Sequence, residues 1–349
     1  MPSESIRNIA VFRALQLGDL LCTVPAMRAL RAAYPAARIT LIGLPWAADF
    51  VRRFPYVDEL MAFPGFPGLP EREPDLDALP DFFIDAQMRQ FDLAIQMHGS
   101  GGIVNLIVGS LGAKAVFGYR PDPAAVPAHF PVWPTGTHEI LIYLQLMEAM
   151  GIASCGTALE FPIHPPEREE LAAVLATESN IVRPYVCVHA GARLPSRRWP
   201  VDAFAAVADA IADLGFEIVL TGSGEEREIG ETLQRRMRHP ARNLVGRTSM
   251  GASAALVAEA RLVVCNDTGI SHIATAVGTP SVVVSSGADV RRWAPLDTGK
   301  HPVLWRDVPC RPCAYHTCPT EHECARGVTV AEVTNTALRM LRQHSSLAA

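Results

Sequence analysis

At 349 residues the chain is long enough for two domains of ordinary size, each with its own core. Hydrophobic residues make up 49% and charged residues 19%, which excludes a disordered or fibrous chain and suits buried parallel sheets. A net charge of -5 argues against nucleic acid as a partner, because neutralising phosphates needs a basic face. No run approaches the roughly 20 apolar residues of a membrane helix, and the opening MPSESIRN has no hydrophobic signal core. A cytoplasmic protein is expected.

Residues 9–12 read as a buried strand, 13–18 as a loop and 19–34 as a helix with Leu20, Val24, Met27 and Leu30 along one side. Strands at 38–44 and 59–63 flank a short helix at 47–54. The stretch 65–80, GFPGLPEREPDLDALP, reads either as a mobile surface loop near the first domain's ligand face or as a plain connection. A helix at 81–90, a strand at 92–97, an apolar helix at 102–111, a strand at 115–119 and a helix at 138–150 complete this half. Residues 151–166 mix Gly, Ser and Pro with one apolar run, which marks a domain connection. The expected division is therefore 1–165 and 166–328, with a last helix within 329–349 that could cross back to the first domain.

The second half repeats the rhythm more cleanly. A helix at 167–176 opens it, and 185–189 is a strand. Residues 201–214 form a helix whose Phe204, Val207, Ala208, Ile211 and Leu214 share a face. Strands at 216–220 and 243–245 and helices at 225–238 and 253–260 lead to the stretch VVCNDTGISHIATAVGTP at 263–280. There an apolar strand at 262–265 stops at Asn266-Asp267-Thr268-Gly269, and a helix runs from Ile270 to a C-cap at Gly278. A strand at 281–285 follows. Two successive doubly wound parallel α/β sheets result, and ligands bind such sheets at the C-terminal ends of the strands.

Asp267, Thr268, Gly269, Ser271 and His272 stand where a strand hands over to a helix N-terminus, the usual anion site of this architecture. Gly222-Ser223-Gly224 lacks the third glycine of a dinucleotide fingerprint and reads as a tight turn. Glu225 and Glu226 after it complement a helix dipole, and either is able to accept from a ribose diol. Residues 189–192, HAGA, end a strand with small side chains, Gly191 among them, that leave room for a phosphate. Arg197 is the preferred diphosphate contact, because a guanidinium grips two oxygens in fixed geometry. Asp19, after Gly18, is either an N-cap or a general base at the first domain's ligand face.

Of eight cysteines, Cys22, Cys155, Cys187 and Cys265 are scattered and read as structural thiols of a reducing compartment. Cys310, Cys313, Cys318 and Cys324, with His316 and His322 among them, have the density of a zinc site without its spacing. A packed thiol-rich loop or an air-formed disulfide is the alternative, and no metal is assigned.

The segments IAVFRALQLGDLLCTVPAMRALRAAYPAARITLIG, HAGARLPSRRWP, LTGSGEE, NLVGRTSM and VVCNDTGISHIATAVGTP resemble, in this order, the ADP-heptose:lipopolysaccharide heptosyltransferases of glycosyltransferase family 9. The resemblance runs from end to end, and CRPC…CPTEHEC is similar to a segment of the second type. It implies a GT-B fold of two Rossmann-like domains facing a cleft, an N-terminal acceptor domain, a C-terminal nucleotide-sugar domain, and inverting transfer with no cofactor or metal. Asp19 matches the family's base, with Arg13 and Gly18 beside it on the acceptor side. Arg197 stands where the family usually has a lysine on the donor phosphates, and Asp267, Thr268, Gly269 and His272 match the donor turn. Glu225 or Glu226 corresponds to the ribose acid.

The resemblance further implies ADP-heptose as donor and a lipopolysaccharide-core or other envelope glycan as acceptor. The partners expected are a nucleotide sugar and a glycan or glycolipid, not nucleic acid, with a monomer working in the cytoplasm or peripherally at the inner membrane. Two other readings compete. A nucleotide-sugar epimerase of the same architecture turns over sugar without an acceptor, and a catalytically silent nucleotide-sugar-binding protein has no need of Asp19.

Overall fold

A computed structural model describes residues 6–177 and 184–345 and divides the chain into two compact units, Met1–Leu159 and Glu160–Ala349. The first five residues of MPSESIRN and the last four of the 329–349 segment lie outside the described residues. Among the described residues no helix is long and apolar enough to cross a membrane.

The first unit is one five-stranded sheet in the order β3-β2-β1-β4-β5, with every pair parallel. Its strands are β1 (Asn8–Phe12), β2 (Arg38–Gly43), β3 (Glu59–Ala62), β4 (Leu93–Gln96) and β5 (Ala115–Phe117). Central strands are covered on both faces, so β1 carries the unbroken apolar run Ile9, Ala10, Val11 and Phe12, each fully buried. The helices α1 (Leu17–Ala33), α2 (Ala48–Arg53), α3 (Leu79–Met88), α4 (Ile103–Gly109) and α5 (Glu139–Ala149) cover the sheet. The strand order reverses between β1 and β4, so their C-terminal ends leave a crevice there. The 65–80 loop folds back on itself, with Asp75 N–H bonded to the Pro64 carbonyl, and it brings Glu71 to 3.5 Å from His98 just beyond β4.

The second unit has a six-stranded parallel sheet in the order β11-β10-β9-β6-β7-β8. Its strands are β6 (Tyr185–His189), β7 (Glu217–Leu220), β8 (Arg242–Asn243), β9 (Leu262–Asn266), β10 (Ser281–Ser285) and β11 (Val303–Trp305). Its helices are α6 (Pro165–Thr177), α7 (Val201–Ala212), α8 (Arg227–Arg236), α9 (Met250–Glu259), α10 (Gly269–Val277), α11 (Val290–Trp293), α12 (Glu323–Arg326) and α13 (Val330–Ser345). The sheet reverses between β6 and β9, and this is the full dinucleotide-fold order. Gly278 ends α10 in the left-handed region at φ 79°, where a Cβ would be strained. The last helix packs within this unit: Val333, Ala337, Met340 and Leu341 of α13 join Phe204, Val207 and Ile211 of α7 in one core.

His301, between β10 and β11, is buried with Nδ1 2.9 Å from Ser281 Oγ. Burial first, then Lys300, pushes its pKa down to about 4 against an opposing Asp297. An unfolded imidazole takes its proton near about 6.5, so between these two values the unfolded chain holds more protons. Stability from this residue is complete above the upper value and is lost as pH falls through the lower one. In urea titrations from pH 7 to pH 4, wild type should therefore lose more stability than His301→Asn; equal losses would show that His301 does not drive the change.

Candidate functional site

In the first unit the crevice between β1 and β4 is built around Arg13, which follows β1 directly. Its side chain is fully buried, and all five N–H groups are used. Nε and one Nη2 hydrogen donate to the Asp19 carbonyl at 3.1 and 2.8 Å, and Nη2 also donates to Glu139 Oε1 at 2.9 Å. Nη1 donates to the Met97 carbonyl and, at 2.6 Å, to Tyr143 Oη. Burial works against the Arg13 charge, yet Tyr143, Glu139 and Asp19 outweigh it and raise its pKa further. Arg13 was expected on the acceptor side. With no donor left and no exposed surface, it instead organises the turn that carries Asp19.

Asp19 is at the third position of α1, not at its N-cap, which is Gln16. Its Oδ2 accepts from the Gln16 N–H at 3.2 Å, closing a capping box, and its Oδ1 stands 3.8 Å from Arg13 Nη2. The side chain is 22% exposed, so the carboxylate is oriented and still open to a reactant. Gly18 beside it is half-buried. His98 spans the crevice from the β4 side: its Nδ1 accepts from the Ala14 N–H at 3.2 Å, which leaves the proton on Nε2, facing Glu71.

In the second unit the equivalent crevice lies between β6 and β9, and Asn266 closes it. Fully buried, Asn266 donates to the Ala190 carbonyl at 2.8 Å and the Gly191 carbonyl at 3.2 Å, and it accepts from the Trp199 N–H at 2.8 Å. Asp267 follows, with Oδ2 accepting from Ser285 Oγ at 3.0 Å. Thr268 is the extended N-cap of α10, whose first N–H groups point out of the turn. His272 is buried one turn in, edge-on to Trp293 at 6.4 Å between ring centres. Ser271 was expected to touch the donor. Its N–H and its hydroxyl both donate to the Thr268 carbonyl, so it shapes the turn.

Glu226 and Glu225 are separated by this geometry. Glu226 is half-buried, and Oε2 caps the turn by accepting from Ser223 N–H at 2.8 Å and Ser223 Oγ at 3.1 Å. Its Oε1 lies 3.7 Å from His189 Nε2 and only 1.9 Å from where a Cβ on residue 191 would be. The room expected over Gly191 is thus filled by the Glu226 carboxylate. Burial lowers the His189 pKa and Glu226 opposes it, while Nδ1 meets Thr221 Oγ1 at 3.2 Å. Glu225 is exposed.

Arg197 lies in a short turn, and its Nη2 donates to the Cys313 carbonyl at 2.8 Å. The cysteine-rich segment is therefore bound to the Arg197 loop; Ser196 Oγ also donates to the Tyr315 carbonyl at 2.6 Å, and His322 Nε2 lies 3.0 Å from the Ser196 carbonyl. All eight cysteines are free thiols. Among the described residues no group of three or more His, Cys, Asp or Glu is arranged to hold a metal. Cys22, Cys187 and Cys265 are buried, and burial pushes the Cys187 and Cys265 thiols up.

Sequence reasoning missed Asn266, His98, Glu139, Tyr143 and Arg311. A His before the Gly-Ser-Gly-Gly stretch at 99–102 at the end of an apolar strand, and a lone acid opening EILIYLQLM, were readable signals. Arg311, which donates to the carbonyls of Ser285 and Ala288 in reach of Asp267, has none.

Comparison with known proteins agrees with this architecture. The family model of glycosyltransferase family 9 (heptosyltransferase) matches residues 86–323. Lipopolysaccharide heptosyltransferase 2 of Escherichia coli K12 is 27% identical over 301 residues, covering 79% of this chain and 82% of that one. A family 9 glycosyl transferase from Veillonella parvula superposes with a TM-score of 0.81 at 19% identity, over 97% of this chain and 98% of that one. The structure of E. coli ADP-heptose lps heptosyltransferase II gives 0.75 at 19% identity, over 97% and 100%. Two parallel-sheet units of GT-B type and a family match over most of the chain lead to one assignment: the protein is a glycosyltransferase and belongs to glycosyltransferase family 9, the heptosyltransferase family.

Proposed function

We propose that the chain moves a heptose or a closely related sugar from an ADP-linked donor to a hydroxyl of a lipopolysaccharide-core acceptor, inverting the anomeric carbon and using no metal. The observation that carries this reading is the Asp19 carboxylate, fixed by Gln16 and Arg13 at the mouth of the first crevice and still 22% exposed. Asp19 takes the proton of the acceptor hydroxyl as its oxygen bonds to the anomeric carbon. The bond from that carbon to the diphosphate breaks, and ADP leaves with the electron pair. Charge grows on the leaving diphosphate, where Arg197 and the N-terminus of α10 at Thr268 and Gly269 stabilise it. Asp267 and His272 shape that turn, and Glu226 receives the ribose diol beside Gly191. In this reading the lipid-borne acceptor, not a membrane helix, brings a monomer to the cytoplasmic face of the inner membrane.

The test is transfer from ADP-heptose to truncated lipopolysaccharide cores of graded length, with the product's anomeric configuration read by NMR. Inversion with acceptor-dependent release of ADP is expected; retention, or sugar turnover without acceptor, would exclude the proposal. Glu226→Gln should weaken ADP-heptose binding by about tenfold or more, the worth of a hydrogen bond to a charged group. Gly191→Ala should act in the same direction, because the new methyl displaces the Glu226 carboxylate. Calorimetry that finds the loss in Glu225→Gln instead would move the ribose contact to that residue.

A further inference from the structure

The Arg13 guanidinium has two carboxylates within reach, and they are not equivalent. Glu139 is fully buried and bonded to it at 2.9 Å, whereas Asp19 faces it at 3.8 Å and gives it only its backbone carbonyl as a hydrogen-bond acceptor. A base standing alone beside a guanidinium is held in its ionised form and accepts a proton poorly. We propose that Glu139 is a positioning residue for Asp19 acting through Arg13: it neutralises the guanidinium that clamps the Asp19 turn, so that the turn is fixed while the carboxylate keeps its basicity. This rests on the reading of Asp19 as the base.

The surroundings fit that division of labour. Glu139 opens α5, which packs along α1, and the N-cap His138 accepts from the Ile140 N–H through Nδ1 at 3.2 Å. Tyr143, one turn further on, lies under Arg13 with its ring centre 4.5 Å from the guanidinium carbon. Its hydroxyl also accepts from the Gly99 N–H at 3.3 Å, tying the loop after β4 to the same cation. The groups around the Arg13–Asp19 pair include Arg13 itself after β1, Glu139 and Tyr143 from α5 against Arg13, the Gln16 N–H and N-terminus of α1 at Asp19, and His98 on the neighbouring Ala14 N–H. Within this set Glu139 is the anion bonded directly to Arg13.

Glu139→Gln keeps the shape and one acceptor and removes the charge. Arg13 then faces Asp19 uncompensated. The acid limb of kcat for ADP-heptose transfer to a truncated lipopolysaccharide core should move down by about one pH unit, and kcat at neutral pH should fall by up to about tenfold. KM for the donor should not change. A limb that stays at the wild-type pH, or moves up, would overturn the proposal, since a purely structural role lowers activity without moving it. If Glu139→Gln does not fold, the double variant Arg13→Gln/Glu139→Gln, which leaves no unpaired buried ion, decides. Its limb should lie at or above the wild-type position, and a limb below it would overturn the proposal. Undiminished transfer by Asp19→Asn would instead remove the base itself, so the two failures are distinguishable.

Discussion

Asp19→Asn is expected to lower sugar transfer by about a hundredfold to ten-thousandfold, the usual contribution of a positioned general base. The amide has nearly the same shape, and its oxygen can still accept from the Gln16 N–H that Asp19 Oδ2 now receives. The first turn of α1 should persist, so the loss reports the missing proton acceptor and not a displaced helix. Binding of ADP-heptose should be unchanged, because the residues proposed for it belong to the second unit. Single-turnover transfer with calorimetry on the same variant checks both parts. Transfer at the wild-type rate would rule Asp19 out as the base.

Asn266→Ala should cost about 3–5 kcal/mol, because truncation leaves one N–H and two carbonyls without partners at a fully buried position. These groups, on Trp199, Ala190 and Gly191, belong to the one loop between β6 and α7 that Asn266, from the end of β9, ties across the second crevice. Asn266→Asp should be as damaging, since an oxygen would then face two carbonyl oxygens. Urea unfolding read by tryptophan fluorescence measures the cost, and hydrogen exchange in residues 190–199 locates it. A loss below about 1 kcal/mol would mean that water substitutes for the amide.

Most of the architecture was legible because a strand covered on both faces must be apolar throughout. The strands at 185–189 and 281–285 have the expected ends, and the other main elements shift by a few residues. The displaced ends have local causes. Helix α9 begins at Met250 and not 253 because Ser249 caps it, accepting from the Ala252 N–H at 3.2 Å. The edge strand β11 was missed because Val303–Trp305 is short and only half-covered, and α11 and α12 span four residues each.

At the site, the residues flagged by local pattern were the acids and glycines next to strand ends. The buried partners were not legible in the same way. Glu139 lies 126 residues from Arg13 in sequence and Asn266 lies 76 from Ala190, distances over which no pattern carries. Arg13, placed on the acceptor side by the family resemblance, has neighbours that the resemblance does not name and that make it a buried clamp.

The ties on the Arg197 loop also set a schedule for synthesis. Ser196, Arg197 and Trp199 are held by carbonyls of Tyr315, Cys313 and Val328, at separations of 119, 116 and 129 residues. On a ribosome the first unit is complete well before those residues emerge, whereas this loop, already bonded by Asn266, still lacks these three ties until the last strand and the segment after it are made. A nascent chain arrested before Val328 would carry a finished Asp19 turn and an Arg197 loop without its last ties. The crevice of the first unit is thus complete before that of the second, where the Arg197 loop is fixed last.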